Sequence, residues 1–125
     1  MEEILMVEID FREKRPLYEQ ISSKIEEQIV RGFIEPDEAL PSVRNLAVEL
    51  SINPNTVQKA YADLEQKGLT YSVSGRGSFV SNVEALIPVK REEVLTELDT
   101  VVTKALQLGV EGGIIVDRVK RRIEK

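Results

Sequence analysis

Five polar side chains crowd into seven positions of the stretch "SINPNTVQKAYADLEQKGL", residues 51–69: Asn53, Asn55, Thr56, Gln58 and Lys59. Amides, a hydroxyl and an amine at this spacing offer hydrogen bonds and one positive charge. Asn and Gln amides can bond bidentately to an adenine edge, so Asn55 and Gln58 suit base reading, while Lys59 suits phosphate. Two arginines can reach the same kind of partner: Arg44 upstream, and Arg76 between Gly75 and Gly77. The bland alternative is a solvated helix face that touches nothing. What separates the two readings is the set of elements that would present these residues.

Asn53 can cap a helix, and Pro54 suits the first helical position. Val57, Ala60, Tyr61 and Leu64 then fall at i, i+3, i+4 and i+7, one buried face, with Asn55, Gln58 and Lys59 on the other. Upstream, "SVRNLAVEL" repeats the pattern, with Ser42 as cap and Val43, Leu46, Ala47 and Leu50 facing inward. Only "SIN" joins the two helices, which forces a sharp angle, with Ile52 pinned between them: a helix-turn-helix. Ser51 stands where such a turn prefers glycine. A left-handed backbone there costs about 1 kcal/mol.

After Gly68 the period changes to two. "LTYSVSGRGSFVS" alternates through Leu69, Tyr71 and Val73, turns at residues 74–77 and returns through Phe79 or Val80. A hairpin placed there makes the domain a winged helix-turn-helix with a basic tip. In that arrangement the second helix enters the major groove N-terminus first. Its dipole and capped turn then present Asn53, Asn55 and Thr56 to phosphates and base edges. Arg76 reaches the adjacent minor groove or its phosphates. Ahead of the pair, "RPLYEQISSKIEEQIVRG" places Leu17, Ile21, Ile25 and Ile29 on one side of a helix that Pro16 starts and Gly32 ends. "FIEPDEALP" reads as a loop, and "MVEID" as a short edge strand.

The expected fold is therefore mainly α with a small β-hairpin: a winged helix-turn-helix over residues 1–82 and a helical tail over residues 83–125. Pro88 marks the boundary. From about Lys90 to Leu108, Val94, Leu98, Val101, Ala105 and Leu108 recur at spacings of four and three, and Leu95, Val102 and Leu106 widen the stripe. Gly109 stops this helix, "EGG" turns the chain, and a last helix carries Ile115, Val119 and Ile123. Two short helices with faces this wide cannot enclose them alone, so a second subunit is expected to cover them.

Composition narrows the functions. The chain has no cysteine and no histidine, which removes disulfides, thiolate chemistry and the usual zinc ligands and neutral-pH base. No metal-like or acid–base spacing joins Asp10, Asp37 and Asp63, so no metal, cofactor or catalysis is expected. The acidic start "MEEILMVEID" lacks the basic region and apolar run of a signal peptide, and nothing is long or apolar enough to cross a membrane. A cytoplasmic protein is the simplest expectation. The net charge of −5 argues against a nucleic-acid partner until its distribution is read. Residues 1–40 hold 5 basic and 11 acidic side chains, whereas residues 41–80 hold 4 and 3. The local field at the contact face matters more than the total.

"PLYEQISSKIEEQIVRG", "LPSVRNLAVELSINPNTVQKAYADLEQKGL" and "GRGSFV" together resemble the N-terminal domain of GntR-family bacterial transcription regulators. The short two-helix tail resembles the YtrA subfamily. The resemblance implies that Pro41, Ser42, Val43 and Arg44 match the family's Pro-Ser-x-Arg element, whose arginine contacts DNA. Asn53 to Val57 match the start of its recognition helix, and Gly75, Arg76 and Gly77 its wing. Pro54 stands where many relatives carry arginine and Gln58 where some carry another, which bears on operator sequence and affinity rather than binding mode. The resemblance further implies double-stranded DNA as partner, a homodimer formed through the tail, and a repressor, in this subfamily commonly of a transporter operon. A palindromic operator would follow from the two-fold symmetry.

Two other classes compete. A winged-helix protein–protein adaptor would use the acidic N-terminal end and bind duplex weakly, with no salt slope tracking Arg44, Lys59 and Arg76. An enzyme would need a constellation of Ser, Asp or Glu that the chain does not show. Lys120–Arg122 reads as a solvated face, and Tyr18, Tyr61 and Tyr71 as packing residues with wet hydroxyls. No obvious pocket, thiol or histidine switch points to a small-molecule effector.

Overall fold

The computed structural model describes residues 7–124 of the chain. They divide into two units, one ending at Leu86 and one beginning at Ile87. In the first, α1 (Leu17–Val30) follows Pro16, whose φ of −56° suits a helix start. Ile21, Ile25 and Ile29 form its buried stripe. Gly32, at φ +81°, ends it. Gln20 is buried too: its Oε1 accepts from the Asp10 amide at 2.9 Å and its Nε2 donates to the carbonyls of Asp10 and Arg15. Those bonds tie residues 10–15 onto α1. Residues 7–10 form no strand, and Met6, the start of "MVEID", lies outside the described residues.

α2 (Val43–Leu50) and α3 (Pro54–Gln66) form the expected pair. Ser51 between them is left-handed, at φ 59° and ψ 46°. Its amide donates to the Val48 carbonyl and the Ile52 amide to that of Ala47, so the turn closes by hydrogen bonds despite the strained residue. Leu46 and Ala47 of α2 pack with Val57, Ala60, Tyr61 and Leu64 of α3, all of them buried. α1 packs across α3.

The hairpin pairs β1 (Thr70–Val73) with β2 (Gly77–Val80), with Tyr71 opposite Phe79 and Val73 opposite Gly77. Its inward face differs from the sequence expectation. Thr70, Val80 and the preceding Leu69 are buried, whereas Tyr71 and Val73 are exposed. Leu69 precedes the strand, and its amide still closes onto the Leu64 carbonyl of α3, so the alternating face of the strand begins at Thr70. The loop after α1 is also more ordered than its composition suggests. The Asp37 amide donates to the Val80 carbonyl at 2.7 Å, the Val80 amide to that of Glu38 and the Leu40 amide to that of Ser78. Residues 37–40 thus line the outer edge of β2, with Ala39 bridged to Phe79.

The second unit holds α4 (Leu86–Gln107, whose first residue belongs to the first unit) and α5 (Gly112–Ile123). α4 begins four residues before Lys90, and Pro88 sits inside its first turn, where a missing amide donor costs nothing. Gly109, at φ +88°, ends α4 as expected. Gly112 and Gly113 open α5 rather than forming the turn, because Glu111 has the extended backbone of a cap. No residue of either helix is buried. Among the described residues, no helix is long and apolar enough to cross a membrane.

Candidate nucleic-acid interface

The interface is assembled by local bonds that use part of each polar group and leave the rest outward. Ser42 caps α2, its Oγ accepting from the Asn45 amide at 3.0 Å. That sets Arg44 in the first turn, exposed and, among the described residues, without an ion-pair partner. Asn53 caps α3 through Oδ1, which accepts from the Asn55 amide at 2.7 Å and leaves its amide nitrogen free to donate outward. Asn55, Gln58 and Lys59 are exposed, as the helical period requires. Thr56 is only half-buried, so it belongs to the rim of this face rather than its centre.

The two helices are fixed to each other by a hydroxyl that the sequence reading left in water. Tyr61 is buried, and its Oη donates to the Pro41 carbonyl at 2.7 Å, pinning the residue ahead of the Ser42 cap onto α3. Burial, with a smaller contribution from the Glu49 charge, pushes the Tyr61 hydroxyl well above the usual tyrosine range, so it remains a neutral donor. On the α1 side, Ser22 Oγ donates to Asp63 Oδ2 at 2.6 Å, and Lys67 Nζ lies 3.1 Å from Asp63 Oδ2 and 3.4 Å from Glu26 Oε1. Partial burial alone would lower the Lys67 ammonium, but these two carboxylates outweigh it and hold the pKa above the usual range. Lys59 Nζ sits 4.3 Å from the Tyr18 ring centroid, a cation–π contact that directs the charge toward the start of α1.

On the wing side, Gln58, Ala62, Glu65 and Gln66 face Ser72 and Ser78 across an open groove of about 420 Å³. Ser72 Oγ donates to Glu65 Oε1 at 2.6 Å. The hairpin turns through Gly75 at φ +79° and Gly77 at φ +106°, and the Arg76 amide donates to the Val73 carbonyl at 2.9 Å. Arg76 therefore stands exposed at the tip. Ala62 and Gln66 share that groove wall with Gln58. They follow Gln58 at successive i+4 steps, a signal present in the sequence once α3 is known to face outward along its whole length.

In the second unit, Val94, Leu95, Leu98, Val101, Leu106, Val119 and Ile123 are exposed, while Val102, Ala105 and Ile115 are half-covered near the interhelical turn.

The order α1, α2, tight turn, α3, β1, β2 defines a winged helix-turn-helix protein. The model of the family described as bacterial regulatory proteins, gntR family, matches residues 17–80, and the chain belongs to that family. It is 38% identical over 108 residues to the HTH-type transcriptional repressor YtrA of Bacillus subtilis (strain 168), covering 85% of this chain and 83% of that protein. Among solved structures, a transcriptional antiterminator from Listeria monocytogenes EGD-e superposes with a TM-score of 0.74 at 34% identity, over 94% of this chain and 89% of that one. The DNA-binding domain of AraR in complex with operator ORX1 superposes with a TM-score of 0.55 at 34% identity, over 62% of this chain and 96% of that one.

Proposed function

We propose that this chain is a sequence-specific DNA-binding transcription regulator, a repressor, that binds a palindromic operator as a homodimer. One observation carries the DNA reading. α3 commits Val57, Ala60, Tyr61 and Leu64 to the core and sets Asn55, Gln58 and Lys59 outside, with Gln58 on the wall of an open groove that the wing, tipped by Arg76, closes on its other side. Asn55 and Gln58 read bases, and Arg44 reads a base or its phosphate. Ser42, Asn53, Thr56 and Lys59 hold the backbone, while Gly75 and Gly77 aim Arg76 at the minor groove.

The homodimer reading rests on the tail. Val94, Leu95, Leu98, Val101, Val102, Ala105 and Leu106 of α4, with Ile115, Val119 and Ile123 of α5, are the apolar faces a second copy covers. Charge favours a second copy as well. Residues 92–99 of α4 carry four acidic and no basic side chains, while α5 carries Arg118, Lys120, Arg121 and Arg122 against the single Asp117. Likeness to a YtrA repressor supports the sign of regulation. A transporter operon as target is the role that subfamily resemblance assigns.

The test is fluorescence anisotropy on the duplex upstream of the protein's own gene and on a scrambled duplex, at two salt concentrations. Arg44→Ala and Gln58→Ala are each expected to cost about 1–3 kcal/mol on the native duplex. Gln58→Ala should also narrow the gap to the scramble. Equal, weak binding to both duplexes by all three proteins would sink the reading.

A further inference from the structure

The geometry points to Tyr71 and Asp37 as positioning residues that fix the direction in which the wing presents Arg76. This rests on the reading of the wing as a DNA contact. A two-stranded hairpin with four residues per strand is marginal by itself and depends on contacts with the elements beside it. Successive side chains of a strand point to opposite faces, so Tyr71 and Ser72 brace different ones. Ser72 bonds Glu65 of α3, as described. Tyr71 stacks on Phe79 across the pair, with ring centroids 5.7 Å apart and planes at 23°. Its hydroxyl continues past β2 and donates to Asp37 Oδ1 at 2.7 Å, in the segment lining the outer edge of β2.

The backbone at Asp37 supports a specific role. It holds φ +68°, a left-handed conformation that glycine takes freely and a side chain takes at a cost. Asp and Asn tolerate this conformation best among side chains, and such a residue is kept in place of glycine where its side chain supplies something glycine lacks. Here that is a charged acceptor for the Tyr71 hydroxyl, and the same bond, ahead of burial, raises the pKa of Tyr71 above its usual range.

Double-mutant cycles on operator affinity test this. Arg76→Ala is combined with Tyr71→Phe, which removes the hydroxyl and keeps the stack, and with Asp37→Gly, which removes the acceptor and relieves the backbone. Arg44→Ala is the control partner, and thermal melts verify that each variant is folded. Arg76→Ala is expected to weaken wild-type binding about tenfold, but only about threefold in either background, while the cost of Arg44→Ala stays constant. Asp37→Asn retains an acceptor oxygen and tolerates the left-handed backbone, so it should restore the full tenfold effect. It also removes a negative charge, which is why the cycle and not raw affinity is read. An Arg76→Ala cost unchanged by Tyr71→Phe and Asp37→Gly overturns the positioning role while leaving the wing on DNA. An Arg76→Ala that is silent in the wild-type chain overturns the wing contact itself, and this inference with it.

Discussion

Residues 7–86 and the tail beyond them use similar side chains to opposite ends. In the first unit Ile21, Ile25, Leu64 and Leu69 are fully buried. In the tail, α4 and α5 run for 22 and 12 residues with apolar residues recurring at helical spacing, yet no residue of either is fully buried. The difference is architectural. Three short helices and a hairpin approach one another from several directions and close a core, whereas a helical hairpin of two elements always leaves a face open. Periodicity alone therefore reports that a face is to be covered, not whether the chain covers it itself.

The sharpest way to break that contrast is to truncate one leucine on each side of it. Leu64→Ala, at 0% exposure, is expected to cost about 2–5 kcal/mol of unfolding free energy by denaturant titration. The same change at Leu98, which is 45% exposed, should leave the stability of a monomer within about 0.5 kcal/mol. Equal costs at a protein concentration that keeps the chain monomeric would mean that the tail has a core of its own.

Next in size is Leu98→Glu, which puts a charge on the face assigned to a second copy. It should weaken self-association at least about a hundredfold in sedimentation velocity, roughly 2.7 kcal/mol, and leave the first unit's thermal transition in place. Operator affinity should fall with it, since two half-sites can no longer be engaged at once. A variant that remains a dimer places the interface elsewhere.

A smaller effect sharpens what holds the first unit together. Tyr61→Phe removes the bond to the Pro41 carbonyl and is expected to cost about 1–2 kcal/mol in a thermal or urea melt. The pH dependence has a definite sign. The folded-state pKa of Tyr61 lies above the unfolded value of 10.0, so the stability it contributes is complete below pH 10 and is lost as pH rises beyond it. The wild-type chain should therefore lose more stability above pH 10 than Tyr61→Phe does, while the two differ by a constant amount near neutrality.

The smallest effect has the opposite sign. Ser51→Gly relieves the left-handed turn and should raise stability by about 0.5–1 kcal/mol, less whatever the freer unfolded chain takes back. Operator binding should be unchanged, because the turn keeps its shape.

How much of this was legible in the sequence follows from the range over which each constraint acts. Helices α1, α2 and α3, both side-chain caps, the strained turn at Ser51 and the outward row of Asn55, Gln58 and Lys59 are set by neighbours three or four residues apart, and patterns at that distance can be read directly. The wing was legible as a hairpin from Gly75, Arg76 and Gly77. Its inward face was not, because Leu69 lies outside the strand whose alternation it was assumed to begin. What only the tertiary structure decided are the bonds between residues far apart in the chain: Tyr61 to Pro41, Ser22 to Asp63, Lys59 over Tyr18 and Tyr71 to Asp37. A hydroxyl or ammonium on a helix or strand carries no local mark of its partner. The partner is chosen by how the elements pack, and packing is a property of the whole unit rather than of any stretch of it.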